Sequence, residues 1–483
     1  MANVKISELS AVTSLTSTDV LPSVAGSTTS KISVQNLANS LTQVSSSISA
    51  SFATTASYVA SISVATSGST IYSVSPATTG FDTTHGIFLG SSAGGNSEGS
   101  DYMNALGNNA GFAASNADYS NFIGYFAGRS ATNANDSNFI GREAGRNATF
   151  ANNSNFFGSG SGCGATSAIK SNFIGPESGK SATDAFRSNF FGERAGFEAV
   201  YSSNSNFFGY QAGYQGSQAN DSNFFGYESG LSATNGFRSN FIGYQAGNTA
   251  TNANDSNFLG ASAGAGAENS NNSNFFGANA GFTATNAPYS NFIGADSGNG
   301  AYSASYSSFI GYGAGSNSYN ASGSIFIGSS AGSGATSAAS AVFIGASAGE
   351  FSGNAKYSVL IGYGAGYRST GFGICNNNII IGTQITLPNN RKDSINIGGV
   401  IFATGSYAGT DDYTSPFSGS MTTARVGINK SLPQYTLDVS GSVGIATVLH
   451  LAESNPLPAG TIGDLAVSAS HLWFYNGSWS QLD

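Results

Sequence analysis

The apolar positions of this chain recur with a fixed period of 17 residues. A glycine that follows two apolar residues stands at every seventeenth position from Gly90 to Gly362, seventeen times without an insertion. A second glycine comes four residues later each time, from Gly94 to Gly366, and the residue before it is always Ala or Ser. Strict spacing of this kind is typical of repeat proteins whose units stack directly on their neighbours. The pattern therefore predicts an elongated solenoid in which each unit forms one coil.

The two apolar residues before the first glycine predict a short strand that is apolar on both faces. The unit "SNFIGYQAG", Ser239–Gly247, shows the pattern, with Phe241 followed by Ile242. Adjacent residues of a strand point to opposite faces. We expect Phe241 to fill the interior of the coil and Ile242 to face outward, where an apolar residue needs a second covering surface. In a long regular stack the economical partner is another copy of the chain, so the sequence predicts a homo-oligomer.

The paired glycines predict corners or close backbone approaches. Gly124 with Gly128, and Gly243 with Gly247, are examples of the pair. Glycine adopts positive φ without steric cost and lets another backbone come near. Two glycines per unit would cost an α-helix about 2 kcal/mol relative to alanine, so we do not expect helices here.

An asparagine occupies the position before the inward residue in twelve consecutive units, from Asn104 through Asn240 to Asn291, and that inward residue is Phe in all of them except Ala105. Identical amides one coil apart can hydrogen-bond along the stack as a ladder. From Ser308 onward the position changes to serine and then to β-branched aliphatic residues, so the last coils are expected to face a different environment. The stretch between the second glycine and the next serine, such as Asn248–Asp255, has fixed length and variable charge, which predicts the solvent-facing side.

Composition narrows the class of protein. The 483 residues include 65 glycines and 40% hydrophobic residues but only 8% charged ones, and the net charge is -9. Intrinsically disordered chains lack such apolar content. No run of Lys or Arg stands out, so we expect no nucleic-acid partner. No stretch reaches 18 consecutive apolar residues and no basic segment precedes an apolar one at the start, so we expect neither membrane insertion nor a secretion signal.

Residues able to carry chemistry are few and scattered. None of the three histidines has a cysteine or a second histidine at ligand spacing. Cys163 and Cys375 are far apart in sequence and are expected to be unpaired thiols. Asp136 recurs as Asp at two further units, but Tyr and Arg also occupy its repeat position, which is typical of a surface position. The adjacent Asp411 and Asp412 are expected to be solvated. We therefore predict no catalytic site, no metal site and no cofactor.

One aromatic cluster, "HLWFYNGSW", suggests binding. Trp473, Tyr475 and Trp479 are the candidate receptor-binding residues, because exposed Trp and Tyr stack on sugar rings and dominate binding hot spots. Alternation places Trp473 and Tyr475 on one face of a strand and Phe474 on the other. The segment Asn476–Ser478 predicts a tight hairpin turn. The alternative, in which these rings form the core of a small terminal domain, stays open.

Three parts of the chain carry a resemblance to known proteins. The repeat resembles those of bacteriophage tail fibres, and "S-x-x-I-G-x-x-A" is more distantly similar to the heads of trimeric autotransporter adhesins, which are trimeric parallel β-rolls. Lys5–Leu41, with "KISEL", "DVLP" and "TSKISVQNL", resembles the opening module of phage tail fibres, which in that family attaches the fibre to the virion. Val426–Ile445 resembles a phage-fibre segment, with Asn429–Lys430 replacing small residues, and Gly463–Leu482 resembles a small terminal β module.

These observations predict the organisation of the chain. The fold class is all-β, an elongated parallel β-solenoid or β-roll of 17-residue repeats, homotrimeric, with small N-terminal and C-terminal β-rich modules. A rough heptad of apolar residues from Leu37 to Ile62 suggests either a short trimeric coiled coil or a non-helical linker. The predicted parts are a virion-attachment module (1–41), a neck or linker (42–80), seventeen repeats (81–370), an irregular β transition (371–425) and a C-terminal tip (426–483).

The function that these resemblances imply is a structural phage tail fibre in the virion, made in the host cytoplasm. It would bind a phage tail or baseplate protein through its N-terminus and a host receptor, with a glycan as one candidate, through its C-terminal region. Alternatives are a bacterial trimeric surface adhesin, an ice-binding solenoid with threonine ladders, and a polysaccharide depolymerase. The repeat also leaves open a triple β-spiral of interleaved chains, and stacked coils would make a shaft about 80 Å long.

Overall fold

The computed structural model describes residues 86–367, 376–388, 391–404, 424–444, 451, 457, 459–460 and 462–482, and the backbone alone for residues 20–25, 28–33, 65–66 and 69–70. The chain divides into two units, Met1–Ile62 and Ser63–Asp483. In the first unit, β1 (Val20–Ala25) pairs antiparallel with β2 (Thr28–Ser33), inside the predicted N-terminal module.

The second unit begins, among its described residues, with a small antiparallel pair in the predicted neck. This pair consists of β3 (Ala65–Thr66) and β4 (Ser69–Thr70). The heptad residues from Leu37 to Ile62 lie outside the described residues, so the choice between a coiled coil and a linker stays a prediction.

Short parallel strands, one per coil, form the main body of the second unit. They are β5 (Phe88–Leu89), β6 (Asn104–Leu106), β7 (Asn121–Ile123), β8 (Asn138–Ile140), β9 (Asn155–Phe157), β10 (Asn172–Ile174), β11 (Asn189–Phe191), β12 (Asn206–Phe208), β13 (Asn223–Phe225), β14 (Asn240–Ile242), β15 (Asn257–Leu259), β16 (Asn274–Phe276), β17 (Asn291–Ile293), β18 (Ser308–Ile310), β19 (Ile325–Ile327), β20 (Val342–Ile344), β21 (Val359–Ile361), β22 (Ile379–Ile381) and β23 (Ser394–Ile397). Each strand from β6 to β22 pairs in parallel with the strands of the preceding and following coils, as β14 does with β13 and β15. Because this pairing runs within one chain, the fold is the predicted β-solenoid and not a triple β-spiral.

The coils are in register around their whole circumference. In the strands, Asn pairs with Asn and Phe with Phe, as in Asn240 with Asn257 and Phe241 with Phe258. The turns also bond between coils, for example from the Gly247 amide to the Ala263 carbonyl oxygen at 2.9 Å. An insertion in one coil would break such bonds with both neighbours, which explains the invariant spacing of 17 residues.

A single file of phenylalanine rings fills the solenoid. From Phe139 to Phe343 the rings of successive coils are parallel within 6°, with centroids 4.6–4.8 Å apart. These rings are fully buried, and the other inward positions hold mostly alanine or serine. The interior is therefore one ring wide, and the observed spacing supports the predicted length of about 80 Å for seventeen coils.

Both glycines of the repeat are required by the local geometry. Gly243 has φ of 139°, and a Cβ there would lie 2.5 Å from the carbonyl oxygen of Gly260 in the next coil. Gly247 has φ of 63°, and a Cβ there would overlap the ring of Phe241. Gly124 and Gly128 repeat the pattern, with φ of 135° and 62°. The predicted roles of the paired glycines, positive φ and close approach, are confirmed.

The asparagine ladder is also confirmed. From Asn104 to Asn291 each Nδ2 donates to the Oδ1 of the next asparagine, in eleven bonds of 2.7–2.8 Å. Asn240, for example, accepts from Asn223 and donates to Asn257. The ladder gives both the nitrogen and the oxygen of every amide inside the run a hydrogen-bond partner, as half-buried polar groups require.

The corners of each coil rest on residues in left-handed conformation, a feature that the sequence analysis missed. In the coil that follows Gly243, the residues Gln245, Thr249, Asn252 and Asp255 all have φ between 51° and 56°. Asn and Asp adopt this conformation more readily than most residues. The left-handed corners therefore give a backbone reason for the many Asn and Asp residues of the variable stretch.

Beyond Gly362 the repeat becomes irregular while the sheet continues. The next glycines of this type, Gly382 and Gly398, follow after 20 and 16 residues. β24 (Ile401–Thr404) pairs antiparallel with β23 and with β25 (Arg425–Ile428), and β25 pairs in parallel with β26 (Leu437–Val439). The parallel ladder thus extends past residue 370, into the predicted transition region.

The predicted C-terminal β module contains a small antiparallel sheet. We call it the terminal sheet, and it consists of β27 (Leu465–Ser468), β28 (His471–Tyr475) and β29 (Trp479–Gln481). Asn476–Ser478 connects β28 to β29, as the predicted hairpin turn requires. The exact domain boundaries stay predictions.

Candidate functional site

The candidate receptor-binding residues lie together on one face of the terminal sheet. Trp473 and Tyr475 are two residues apart on β28, and Tyr475 pairs directly with Trp479 on β29. The rings of Tyr475 and Trp479 meet edge to face, with centroids 5.3 Å apart and planes at 68°. Phe474, between the first two, points to the other face because side chains alternate along a strand.

The three rings are held in place but not enclosed. Trp473 Nε1 donates to the carbonyl oxygen of Ser468 at 3.1 Å, which fixes the indole at the sheet. Gly460 lies so close to the other two rings that a Cβ there would overlap Tyr475 and come within 3.0 Å of Trp479. All three aromatic residues are half-buried. This arrangement is intermediate between the two alternatives, an exposed platform and a closed core, and receptor binding stays a prediction.

The outward-facing apolar residues form a second candidate surface along the solenoid. We call it the apolar column, and it consists of the residue before the first glycine in each coil, from Leu89 through Ile242 to Ile361. Ten of these seventeen residues are 36–42% exposed and the others are half-buried, whereas the phenylalanine that precedes them is fully buried in every coil from Phe122 to Phe343. The prediction that Phe241 faces inward and Ile242 outward is therefore confirmed.

The apolar column becomes wider near the end of the regular coils. The asparagine ladder flanks it up to Asn291, but Ile325, Val342 and Val359 occupy the same ladder position in later coils. Ile325 is 41% exposed, so the strands of these coils present two outward apolar residues in place of one. The outward face of the strands thus changes from an amide beside an apolar residue to two aliphatic residues.

Charged side chains pair locally on the early coils. Glu177 accepts from Lys180 Nζ at 2.7 Å and from Arg194 Nε at 2.8 Å. The hydrogen bond from Lys180, followed by that from Arg194, lowers the pKa of Glu177 below its ordinary value. These groups are partly exposed, and surface pairs of this kind contribute little to stability.

The region that resembles a phage-fibre segment is stabilised by a buried aspartate. The Gln434 amide donates to Asp438 Oδ2 at 2.7 Å, and Lys430 Nζ lies 3.2 Å from the same oxygen. The backbone hydrogen bond from Gln434, with a smaller contribution from Lys430, lowers the pKa of Asp438. The lysine that replaces a small residue of the resembled family thus has a structural role.

The remaining residues with potential chemistry lie apart. Within the described part of the chain, no three His, Cys, Asp or Glu side chains are close enough to hold a metal ion. Cys163 is a free thiol whose pKa is raised by burial. Asp411, Asp412 and Cys375 lie outside the described residues. The predictions that the chain has no catalytic site and no cofactor stay predictions.

The threonines considered for ice binding form a single interrupted column. They align as parallel bridges in four consecutive coils, from Thr132 to Thr183, after which Val200 and Ser217 take the position. Glu268 and Tyr302 interrupt it again. The column is thus neither uniform nor continuous.

A cleft near the end of the regular coils was not predicted from the sequence. It has a volume of about 390 Å³, and its lining includes Tyr363, Tyr367 and Glu350 together with residues after Gly382. The deviation from the 17-residue spacing at Gly382 was visible in the sequence and could have directed attention to this place.

Comparison with known proteins adds no further assignment. No protein-family model matches the chain, and no curated protein matches it. Among the described residues, no helix has the length and apolar character that crossing a membrane requires. The function has to be argued from the solenoid and its surfaces.

Proposed function

We propose that the chain is a non-enzymatic structural component of a bacteriophage tail fibre. Three copies associate along the apolar column, the N-terminal module docks to the virion, and the terminal sheet contacts the host surface. The observation that carries the proposal is the apolar column itself, because it leaves one large apolar residue per coil partly exposed over seventeen coils. Monomeric soluble proteins rarely expose contiguous apolar patches of that extent.

A second and third copy of the chain fit this surface better than an unrelated partner. The apolar residues recur once per coil, at the 4.6–4.8 Å spacing of the stacked rings. A copy presents the same spacing, so side chains match in every coil without further adjustment. Covering the column would contribute roughly 1 kcal/mol per residue. Summed over seventeen residues per chain, this free energy of burial exceeds the estimated cost of association, which is about 4–15 kcal/mol.

Sedimentation equilibrium tests the assembly. We expect a species of three times the 48.8 kDa chain mass. Replacing Ile242, Leu259 and Phe276 with serine should weaken the trimer at low concentration. The control replaces Tyr289 and Tyr306 with serine, since these exposed rings stack 4.9 Å apart in another column, and should leave the mass unchanged. A stable monomer of the unaltered chain would refute the assembly.

Attachment to the virion and to the host is supported by the two ends of the chain. The segments that resemble phage-fibre modules lie at these ends, and the terminal sheet presents three half-buried aromatic residues on one face. Trp and Tyr in such positions combine a large apolar surface with a polar edge, which suits contact with glycans or proteins.

Two experiments test these roles separately. Gold-labelled antibody against the chain should mark the tails of virions, whereas labelling of the bacterial envelope would favour the adhesin alternative. Purified chain should compete with virions for adsorption to host cells. The variant Trp479→Ala should lose this competition, and the control Leu482→Ala, an exposed apolar change next to the sheet, should keep it. If Trp479→Ala competes as well as the unaltered chain, the terminal sheet is not the contact.

The proposal assigns no catalytic step to the chain. Incubation with host surface polysaccharide should therefore release no new reducing ends. Release of oligosaccharides by the purified chain would support the depolymerase alternative instead.

A further inference from the structure

The cleft exists because one coil departs from the repeat. In regular coils the third residue after the first glycine is Ala or Ser and the fourth is Gly, but after Gly382 these positions hold Ile385 and Thr386. In this turn the regular bonds to the preceding coil include that from the Gly366 amide, which donates to the Ile385 carbonyl oxygen at 2.9 Å. Three residues later Pro388 has no amide hydrogen, so the regular bond at that position cannot form. Among the described residues, the turn of the preceding coil is thus left partly uncovered.

The lining combines aromatic rings with neutral polar groups and one carboxylate. Tyr363 and Tyr367 are exposed, Gln384 and Thr386 supply an amide and a hydroxyl, and Glu350 supplies the carboxylate. The volume of about 390 Å³ falls in the range of roughly 300–1,000 Å³ that is usual for small-molecule sites. The lining that the structure describes contains no Lys, Arg or His.

We propose that this cleft binds a neutral saccharide. Tyrosine rings pack against the apolar faces of pyranose rings, and they keep a hydroxyl for hydrogen bonding. The Gln384 amide both donates and accepts, the Thr386 hydroxyl does the same, and the Glu350 carboxylate accepts, which together match vicinal sugar hydroxyls. The charge argues against an acidic sugar, because the carboxylate would repel it and no described cation in the lining would attract it.

This site is separate from the proposed contact on the terminal sheet. Its residues belong to the last regular coils and the first irregular one, from Ser347 to Thr386. The inference therefore does not depend on the tail-fibre proposal, and each can fail alone.

Saturation-transfer NMR and calorimetry with defined trisaccharides test the site on the full chain. The probes are maltotriose, cellotriose and chitotriose, with trigalacturonate as the acidic comparison. Tyr363→Ala and Tyr367→Ala should each raise the Kd at least about tenfold. The matched control is Tyr244→Ala, since this residue has the same repeat position as Tyr363 and is 53% exposed against 54%. Circular dichroism checks that all variants fold.

The result that supports the site is binding of at least one neutral trisaccharide that both cleft variants weaken and that Tyr244→Ala and Trp479→Ala leave intact. No binding of any neutral probe at about 10 mM would overturn the proposal. Binding that survives both cleft variants, that Tyr244→Ala weakens equally, or that is confined to trigalacturonate would also overturn it. If only Trp479→Ala loses saccharide binding, the binding site lies on the terminal sheet and the cleft proposal is overturned.

Discussion

The first glycine of the repeat offers a direct test of how the coils stack. In Gly243→Ala, the added Cβ would meet the carbonyl oxygen of Gly260 at 2.5 Å, and the backbone would have to keep φ of 139°. That conformation costs an L-residue roughly 1–3 kcal/mol. Relieving the overlap adds a cost of about 1–3 kcal/mol, as for other overpacked sites, because the contacted atom is backbone and cannot rotate away. We therefore expect a local destabilisation of about 2–6 kcal/mol.

The chain supplies a matched control, a second Gly-to-Ala substitution that is not expected to destabilise the solenoid. Gly236 stands where Ala219 and Ala253 stand in the neighbouring coils, and it does not have a positive φ. A Cβ there would lie 3.5 Å from the ring of Phe224, an ordinary contact. Gly236→Ala should therefore leave stability unchanged or raise it by about 0.4–1 kcal/mol, because it restricts the unfolded chain.

Hydrogen exchange followed by mass spectrometry is the appropriate assay. Stacked repeats can open locally, so a measurement of global unfolding would average the destabilisation of one coil over the whole solenoid. Gly243→Ala should speed exchange in peptides from residues 222–277 and leave residues 104–158 as an internal reference. Equal exchange in Gly243→Ala and the unaltered chain would refute the packing argument. Equally faster exchange in Gly236→Ala would show that any added methyl group destabilises the stack, whatever the φ of the residue that carries it.

Three further substitutions test the asparagine ladder, the stacked phenylalanine rings and the buried aspartate. Asn240→Ala breaks two amide bonds and should cost about 1–3 kcal/mol by local hydrogen exchange, whereas Asn248→Ala on the variable side should change stability by less than about 0.5 kcal/mol. Phe241→Ala should cost about 3–5 kcal/mol in the same assay, and Phe241→Leu clearly less, since Leu360 occupies that position naturally. Because the pKa of Asp438 is lowered in the fold, its stabilisation is present above its ordinary pKa and is lost as pH falls through the lower value. Near-UV circular dichroism between about pH 5 and 2 should show this loss, and Asp438→Asn should remove that pH dependence while being less stable at pH 7.

The sequence was sufficient to predict the features that repeat. A fixed period with two glycines and an Asn-Phe-Ile triplet determines the coil, the inward ring, the outward aliphatic residue and the amide ladder. Each of these follows from strand alternation or from the steric freedom of glycine, and both are local rules. The register between coils then follows from the invariant length.

Features that depend on the closed cross-section could not be predicted from local rules. Ser239 is polar by type, yet it is fully buried because its Oγ donates to the Ala253 carbonyl oxygen at 2.5 Å and accepts from the Ser256 amide at 3.1 Å. The left-handed corner residues belong to several residue types, so no single letter marks them. Tyr475 and Trp479 contact Gly460, which lies outside the terminal sheet, so their half-buried state does not follow from the strand pattern alone.

The change in the ladder position near the end of the solenoid leads to the last prediction. Asparagine is compatible with the coil at twelve consecutive positions, so the coil itself gives no reason for Ile325, Val342 and Val359 to replace it. We expect these three residues to strengthen the contact between copies, because each adds an outward apolar side chain beside the apolar column.

Replacing all three with asparagine should form a second, short amide ladder beyond Ser308 and keep the coils folded, with unchanged far-UV circular dichroism. The same variant should dissociate at higher protein concentration than the unaltered trimer in sedimentation. Losing roughly 1 kcal/mol of apolar burial per residue would raise the dissociation constant by more than about a hundredfold. A control variant that places Ser at Asn121, Asn138 and Asn155 shortens the ladder without touching the widened surface, and should leave the dissociation constant unchanged. If the asparagine variant assembles as tightly as the unaltered chain, the aliphatic residues are not part of the contact, and another surface must hold the copies together.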